Sequence, residues 1–227
     1  MEQNQAVTTA ALYDLSHTIA AELLRDTRYP WEALDGIKEF ILTLGETLDP
    51  ALFEQREPGV WVAKDAKIAP TAYIGAPCII DSGAEIRHCA YIRGSAIVGK
   101  GAVVGNSCEL KNCILFDGVQ VPHFNYVGDS VLGWKSHLGA GAVTSNVKSD
   151  KSPVVVKDDP PIATGRKKFG AMVGDLVEVG CNSVLCPGSV LGRCATVYPL
   201  SRVRGVVPEN AIFKAPDNIV IKNQKGI

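Results

Sequence analysis

From Val62 to Leu110 an aliphatic side chain returns at every sixth position: Val62, Ile68, Ile74, Ile80, Ile86, Ile92, Val98, Val104, Leu110. Four residues after each stands a small or thin one: Ala66, Ala72, Cys78, Ala84, Ala90, Ala96, Ala102, Cys108, until Ile114 breaks the series. A helix face repeats about every 3.6 residues and a half-buried strand about every 2, so neither accounts for this rhythm. A six-residue period marks a parallel β-helix, in which each hexapeptide makes one short flat strand and a corner. The aliphatic residue fills the axis of a triangular prism, and the small one lets the chain turn inward. Coils stacked at roughly 4.8 Å share backbone hydrogen bonds, so the core becomes a column of aliphatic rows.

The rest of the composition narrows the function. The chain has 227 residues, net charge −1 and mean hydropathy +0.10, which suits one or two packed domains. Near-neutral charge gives no reason to expect nucleic acid or an anionic membrane as partner. No stretch reaches the roughly 18 apolar residues of a membrane span. The start, MEQNQAVTTAALYDL, lacks the basic-then-apolar order of a signal peptide, so a cytoplasmic location is expected. Seven cysteines, with no Cys-x-x-Cys and no zinc-type cluster, read as buried free thiols.

Residues 1–52 follow another rhythm. Leu12, Leu15, Ile19 and Leu23 fall at helical spacing, as do Leu34, Ile37, Ile41 and Leu44, and Pro30 is placed to open the second run. A helical hairpin is predicted, packed on the end of the prism or on a neighbouring subunit, where it would cover the first coil's open edge. The β-helix domain then occupies residues 53–227. Its register slips by one to Leu115 and again to Leu132, vanishes between Thr144 and about Met172, and resumes at Val173. The stretch at about 145–172 must therefore leave the prism as a long loop. Irregularity in an otherwise periodic chain points to function, and all of it falls between residues 110 and 172.

Chemistry-bearing residues gather there. His123, just after the first slip, is of the type that takes a proton from an amine or hydroxyl near neutral pH. The loop carries Lys148, Lys151, Lys157, Arg166, Lys167 and Lys168 against Asp150, Asp158 and Asp159. Such a segment is either a solvated strap or a lid whose cations hold a phosphate. Gly139-Ala140-Gly141 lacks the strand-to-helix context of a phosphate loop and reads as repeat corners.

The motifs VGNSCELKN, VPHFNYVGDS, LGAGAVTSN and GRKKFGAMVGD, in this order, resemble the acetyltransferase half of the bifunctional glucosamine-1-phosphate acetyltransferase/N-acetylglucosamine-1-phosphate uridylyltransferases. The likeness is greatest to the archaeal sugar-1-phosphate nucleotidylyltransferase/amino-sugar acetyltransferases and covers about residues 60 to 210. It implies a left-handed coil, a homotrimer with sites between subunits, and acetyl transfer from acetyl-CoA to the amine of a hexosamine 1-phosphate. That step would feed nucleotide-sugar synthesis of the UDP-N-acetylglucosamine type. By position it makes His123 the general base. Arg93 and Lys111 match positions that hold the sugar phosphate, Tyr126 and Asn146 match substrate contacts, and Lys151 is a looser match. Arg166 and Lys167 join them as loop cations for the phosphate. The coils from Gly139 to Ser201, with Gly139, Ala140, Gly141, Cys181, Tyr198 and Pro199, would line the acetyl-CoA groove. No tightly bound cofactor or metal is implied.

The sequence departs from that pattern in two ways. Roughly 50 helical residues cannot house the doubly wound nucleotidylyltransferase domain, so any uridylyl transfer is expected from a separate protein. Trp134-Lys135 stand where the bacterial enzymes have Asp-Asn, and Val147 where they have tyrosine, so the acceptor sugar need not be the same. Two other readings compete. γ-Type carbonic anhydrases use a similar trimer with three zinc-bound histidines. His88 and His123 are available, but Gly128 and Asp129 occupy the neighbourhood of the third. A prism without its partner domain could also be an inactive trimeric scaffold or regulatory subunit.

Overall fold

Three hexapeptides make one coil, and a computed structural model describing residues 4–222 shows how the coils stack. On the first face Val62 pairs with Ile80 and Ile80 with Val98, each 18 residues on; the column continues through Leu115, Leu132, Val173, Leu191 and Val207. The second face stacks Ile68, Ile86, Val104 and Val121, then Leu138, Val179 and Val197. The third face carries Ile74, Ile92, Leu110 and Val127. From Ile80 to Leu138 these aliphatic side chains are fully buried, as are Ala84, Ala96, Ala102 and Cys108 in the small-residue slots. Burial of each aliphatic side chain contributes about 1.5–3 kcal/mol, so the column itself is the main source of stability.

Both ends of the stack are closed by strands. Phe53–Glu57 pairs antiparallel with Val60–Ala63 at the first coil, and Ala211–Ala215 with Asn218–Ile221 at the last. This differs from the helical cap expected at the first edge. An open edge needs N–H and C=O partners, which an adjoining strand offers and a helix, with its backbone groups engaged internally, does not.

The N-terminal region also departs from the predicted hairpin. It is a string of short helical pieces, the longest being Ile37–Gly45, laid along the first face. Asp14 and Thr18 explain the interruption: their side chains accept the backbone N–H groups of Ser16 and Ala20, which ends the helical run between Leu12 and Leu23. Pro30 does open a helical turn, Pro30–Asp35. The region is pinned to the prism by Tyr13 Oη on Val131 O, by the Asp14 N–H on Asp175 Oδ2, and by the Asp117 N–H on His17 O. Trp134 serves this packing, its indole stacked on His17 at 4.0 Å between ring centroids. Among the described residues no helix is long and apolar enough to cross a membrane.

The two register slips are shortened corners. Leu115 follows Val98 by 17 residues and Leu132 follows Leu115 by 17, so the corners at Lys111-Asn112 and Gly128-Asp129 each lack one residue. The strands Glu109–Leu115 and Tyr126–Leu132 run through these corners from the third face to the first. Asn112 and Asp129 make the tight turns with φ of 49° and 47°, a region that Asn and Asp enter more readily than other non-glycine residues.

The excursion after Thr144 is folded rather than a bare strap. Val155–Val156 and Ile162–Ala163 form a two-stranded antiparallel pair, and Val154, Val156 and Phe169 are buried. Phe169 packs on Trp31, and the Phe169 N–H returns to Asn146 O. The cysteines divide more evenly than the sequence suggested. Cys78, Cys108 and Cys113 are buried, Cys186 and Cys194 half-buried, and Cys89 and Cys181 exposed at corners. Burial pushes the Cys113 thiol up to about 12.

Candidate active site

Two corner columns of the disturbed coils carry the polar chemistry. The first lies between the second and third faces. The Gly141 N–H donates to His123 O at 3.0 Å, the Asn182 N–H to Ala140 O at 2.8 Å, and the Leu200 N–H to Cys181 O at 2.9 Å. His123, Gly139–Gly141, Cys181 and Tyr198-Pro199 therefore follow one another along a single edge. Glycine is required in this column: a Cβ on Gly139 would lie 2.7 Å from the Cys181 nitrogen, and Gly141 turns with φ +71°. His123 is exposed, and no side chain among the described residues hydrogen-bonds its ring. Phe124 after it holds φ 52° while 61% exposed, a conformation costly for a bulky residue.

Beneath this corner sits Asn125, in the slot where the regular coils have alanine or cysteine. It is 2% exposed. Its Oδ1 accepts the His123 N–H, and its Nδ2 donates to Gly139 O and Ala142 O at 2.9 and 3.0 Å. One buried amide thus ties the His123 corner to the glycine corner of the next coil. Sequence reading missed it, although a polar residue in a small apolar slot is a visible signal.

The second column lies between the third and first faces. Asp129 is almost fully buried and accepts from Lys111 Nζ at 3.0 Å, from Asn112 Nδ2 at 3.0 Å and from Asn146 Nδ2 at 2.5 Å. Asn146 Nδ2 also donates to the Tyr126 hydroxyl at 3.1 Å. Burial raises the Tyr126 phenol above its usual range, reinforced by the charges of Asp129 and Glu109, so it stays protonated. Lys111, Tyr126 and Asn146 are thereby brought together around Asp129, which together with Asn112 was not singled out in the sequence. Arg93 is placed nearby on the third face and donates to Glu109 Oε1 at 2.9 Å.

The folded excursion adds cations beside this column. A cavity of about 560 Å³ is lined by Ser145, Lys148, Lys157, Cys186, Arg202 and Arg204, among others. Lys148 donates to Ser152. Lys151 and Lys167 are exposed and form no ion pair among the described residues. Arg166 is placed elsewhere, its guanidinium making two 2.6 Å bonds to Asp35 of the N-terminal region. That carboxyl is held below the usual range by those bonds. His88 is held by the Thr71 hydroxyl at 2.9 Å. Among the described residues no three His, Cys, Asp or Glu side chains are grouped to hold a metal ion.

The stretch of chain that forms most of this prism matches a known family. A family model described as the GMPPB C-terminal domain covers residues 76–212, more than half of the chain. The chain belongs to that family. It is also homologous to larger bifunctional proteins. A bifunctional sugar-1-phosphate nucleotidylyltransferase/acetyltransferase of Sulfurisphaera tokodaii is 32% identical over 83% of this chain and 48% of its own length. The bifunctional protein GlmU of Methanococcus maripaludis is 29% identical over 60% of this chain and 33% of its own. The chain thus spans about half or less of these curated relatives. Among solved structures, the acetyltransferase domain of PglB from Neisseria gonorrhoeae in complex with acetyl coenzyme A is 19% identical. It covers 58% of this chain and 53% of that one, at a TM-score of 0.31.

Proposed function

We propose that this member of the family is an N-acetyltransferase that moves the acetyl group of acetyl-CoA to the amine of a hexosamine 1-phosphate. The observation that carries the reading is the placement of His123 in one backbone-bonded column with Gly139–Gly141, Cys181 and Tyr198. Beside it, across the third face, Tyr126 connects to the Lys111–Asp129–Asn146 cluster. The homology to a protein named for both sugar 1-phosphate and acetyl transfer agrees with it.

In this reading the acceptor amine attacks the thioester carbonyl while His123 takes its proton. The C–S bond then breaks, the thiolate receives the proton, and an amide and free CoA result. A base so positioned contributes about 10²–10⁴-fold. Arg93 and Lys111 face the sugar phosphate, with Tyr126 and Asn146 orienting the ring. Lys151 and Lys167 offer the sugar phosphate further cations, and Lys148, Lys157, Arg202 and Arg204 line the cavity beside that cluster. Three copies of the chain form the working unit. Leu200 and Phe124 are 79% and 61% exposed along the His123 edge, apolar surface that a second copy would cover.

A scaffold reading is favoured by a different observation. Arg93, Lys111 and Arg166 already hold Glu109, Asp129 and Asp35, so their charge is largely spent inside the chain. A thiol-release assay with acetyl-CoA and a panel of amino-sugar 1-phosphates and nucleotide-linked amino sugars separates the two. The enzyme releases CoA with at least one phosphorylated acceptor. A scaffold shows neither turnover nor acetyl-CoA binding.

A further inference from the structure

The excursion after Thr144 folds back onto the later coils, where it is seated against two corner glycines, Gly188 and Gly205. A Cβ would lie 2.7 Å from Val154 Cγ1 at Gly188 and 3.2 Å from Lys157 Cβ at Gly205, so neither corner admits a side chain while the excursion rests there. This seating brings Lys148 and Lys157 to the corner that carries Arg202 and Arg204. The four cations line one cavity of about 560 Å³.

The charges in it do not balance. Among the described residues that line it, Asp150 supplies the one carboxylate. Asp150 lies 3.6 Å from Lys148 and accepts from both the N–H and the hydroxyl of Ser152, so it serves its own turn. Lys157, Arg202 and Arg204 form no ion pair among the described residues. Elsewhere Arg56, Arg87, Arg93, Arg166 and Arg193 each have a carboxylate partner. A recess lined by one sign of charge concentrates counter-ions of the other. Its length indicates their size. The Ser145 N–H donates to Leu185 O and the Cys186 N–H to Val203 O, so Ser145, Cys186 and Arg204 follow one another on three successive coils. Two coil spacings come to about 10 Å, more than a single phosphate fills. Beside the cations stands an apolar wall that includes Val147 and Val155, 43% and 41% exposed.

We propose that this cavity binds a nucleoside diphosphate. Arg202, Arg204, Lys148 and Lys157 take the two phosphates, for which both cation types are suited, and the base packs on Val147 and Val155. The site lies on a different corner from the His123 column, and the inference does not depend on acetyl transfer. Isothermal titration of the full chain, at constant ionic strength and without divalent cations, tests it. The probes are ADP, GDP, UDP and CDP, each beside its monophosphate, and inorganic pyrophosphate. The expected result is saturable binding of at least one diphosphate at one site per chain, at least tenfold tighter than its monophosphate or pyrophosphate. Its affinity falls at least tenfold in Arg204→Gln and in Lys157→Gln and is unchanged by saturating acetyl-CoA. Both side chains are exposed, and circular dichroism checks that each variant is folded; should one fail to fold, the other decides. Absence of saturable diphosphate binding, equal binding of the monophosphate or pyrophosphate, a loss below tenfold in a folded variant, or displacement by acetyl-CoA would each overturn it.

Discussion

The coils from Val62 to Leu110 and the coils that follow them are built on one prism, yet they solve different problems. In the early coils each interior position is aliphatic and each inner corner is small, and backbone bonds at regular spacing do the rest. In the later coils two corners lose a residue, an asparagine takes a place that alanine or cysteine would fill, and a buried aspartate turns one of the shortened corners. A long excursion then folds back over them. The early coils gain stability from repetition. The later ones bury Asn125, Asp129 and Thr144, each with several partners. Such groups hold one geometry firmly, because any other leaves them unpaired in a low-dielectric interior.

That contrast can be broken or sharpened by substitution. Ile92→Ala, in the regular column, should cost about 2–5 kcal/mol of stability and leave turnover per folded molecule unchanged; chemical denaturation with activity measured alongside checks both. Asn125→Ala, in the disturbed part, should move both quantities. It leaves Gly139 O and Ala142 O short of donors, costs about 2 kcal/mol, and lowers kcat because the His123 corner loses its tie. Asp129→Asn should change selectivity as well as stability, because the amide has one acceptor oxygen for the three donors that the carboxylate held. With its charge gone, Lys111 is freed, and preference for a phosphorylated over an unphosphorylated amino sugar rises about fivefold, roughly 1 kcal/mol, read from the ratio of kcat/KM values.

The smallest effect concerns the one polar exception among the early coils. Burial raises the folded-state pKa of Asp81 above its unfolded value. Above the folded pKa, its charge therefore opposes folding, and that penalty disappears as pH falls toward the unfolded value near 3.9. Asp81→Asn should raise Tm at pH 7, where the buried charge opposes folding. The gain should shrink as melts are repeated toward pH 4.

The period made the prism legible because each row of the core is one residue type at one spacing. Its slips located the disturbed coils equally well, since a missing corner residue shifts every later position. His123, Lys111, Tyr126 and Asn146 were legible through motif likeness. Asn112, Asn125 and Asp129 were not, because their role depends on partners one coil away, 14 to 18 residues along the chain. The N-terminal region was misread for a similar reason. Leucine spacing alone suggested two helices, while Asp14 and Thr18 cap the backbone locally and Trp134 offers a docking surface that only the folded prism creates. Arg166 looked like a phosphate ligand beside its lysines, and only the fold brings Asp35 to it.

The central claim is that the disturbed coils perform acetyl transfer with His123 as base. Steady-state thiol release by wild type and His123→Ala, with an acceptor that turns over, tests it most directly. The account predicts a fall in kcat of about 10²–10⁴-fold with an unchanged melting temperature and undiminished acetyl-CoA binding. Equal kcat in the two proteins would contradict it.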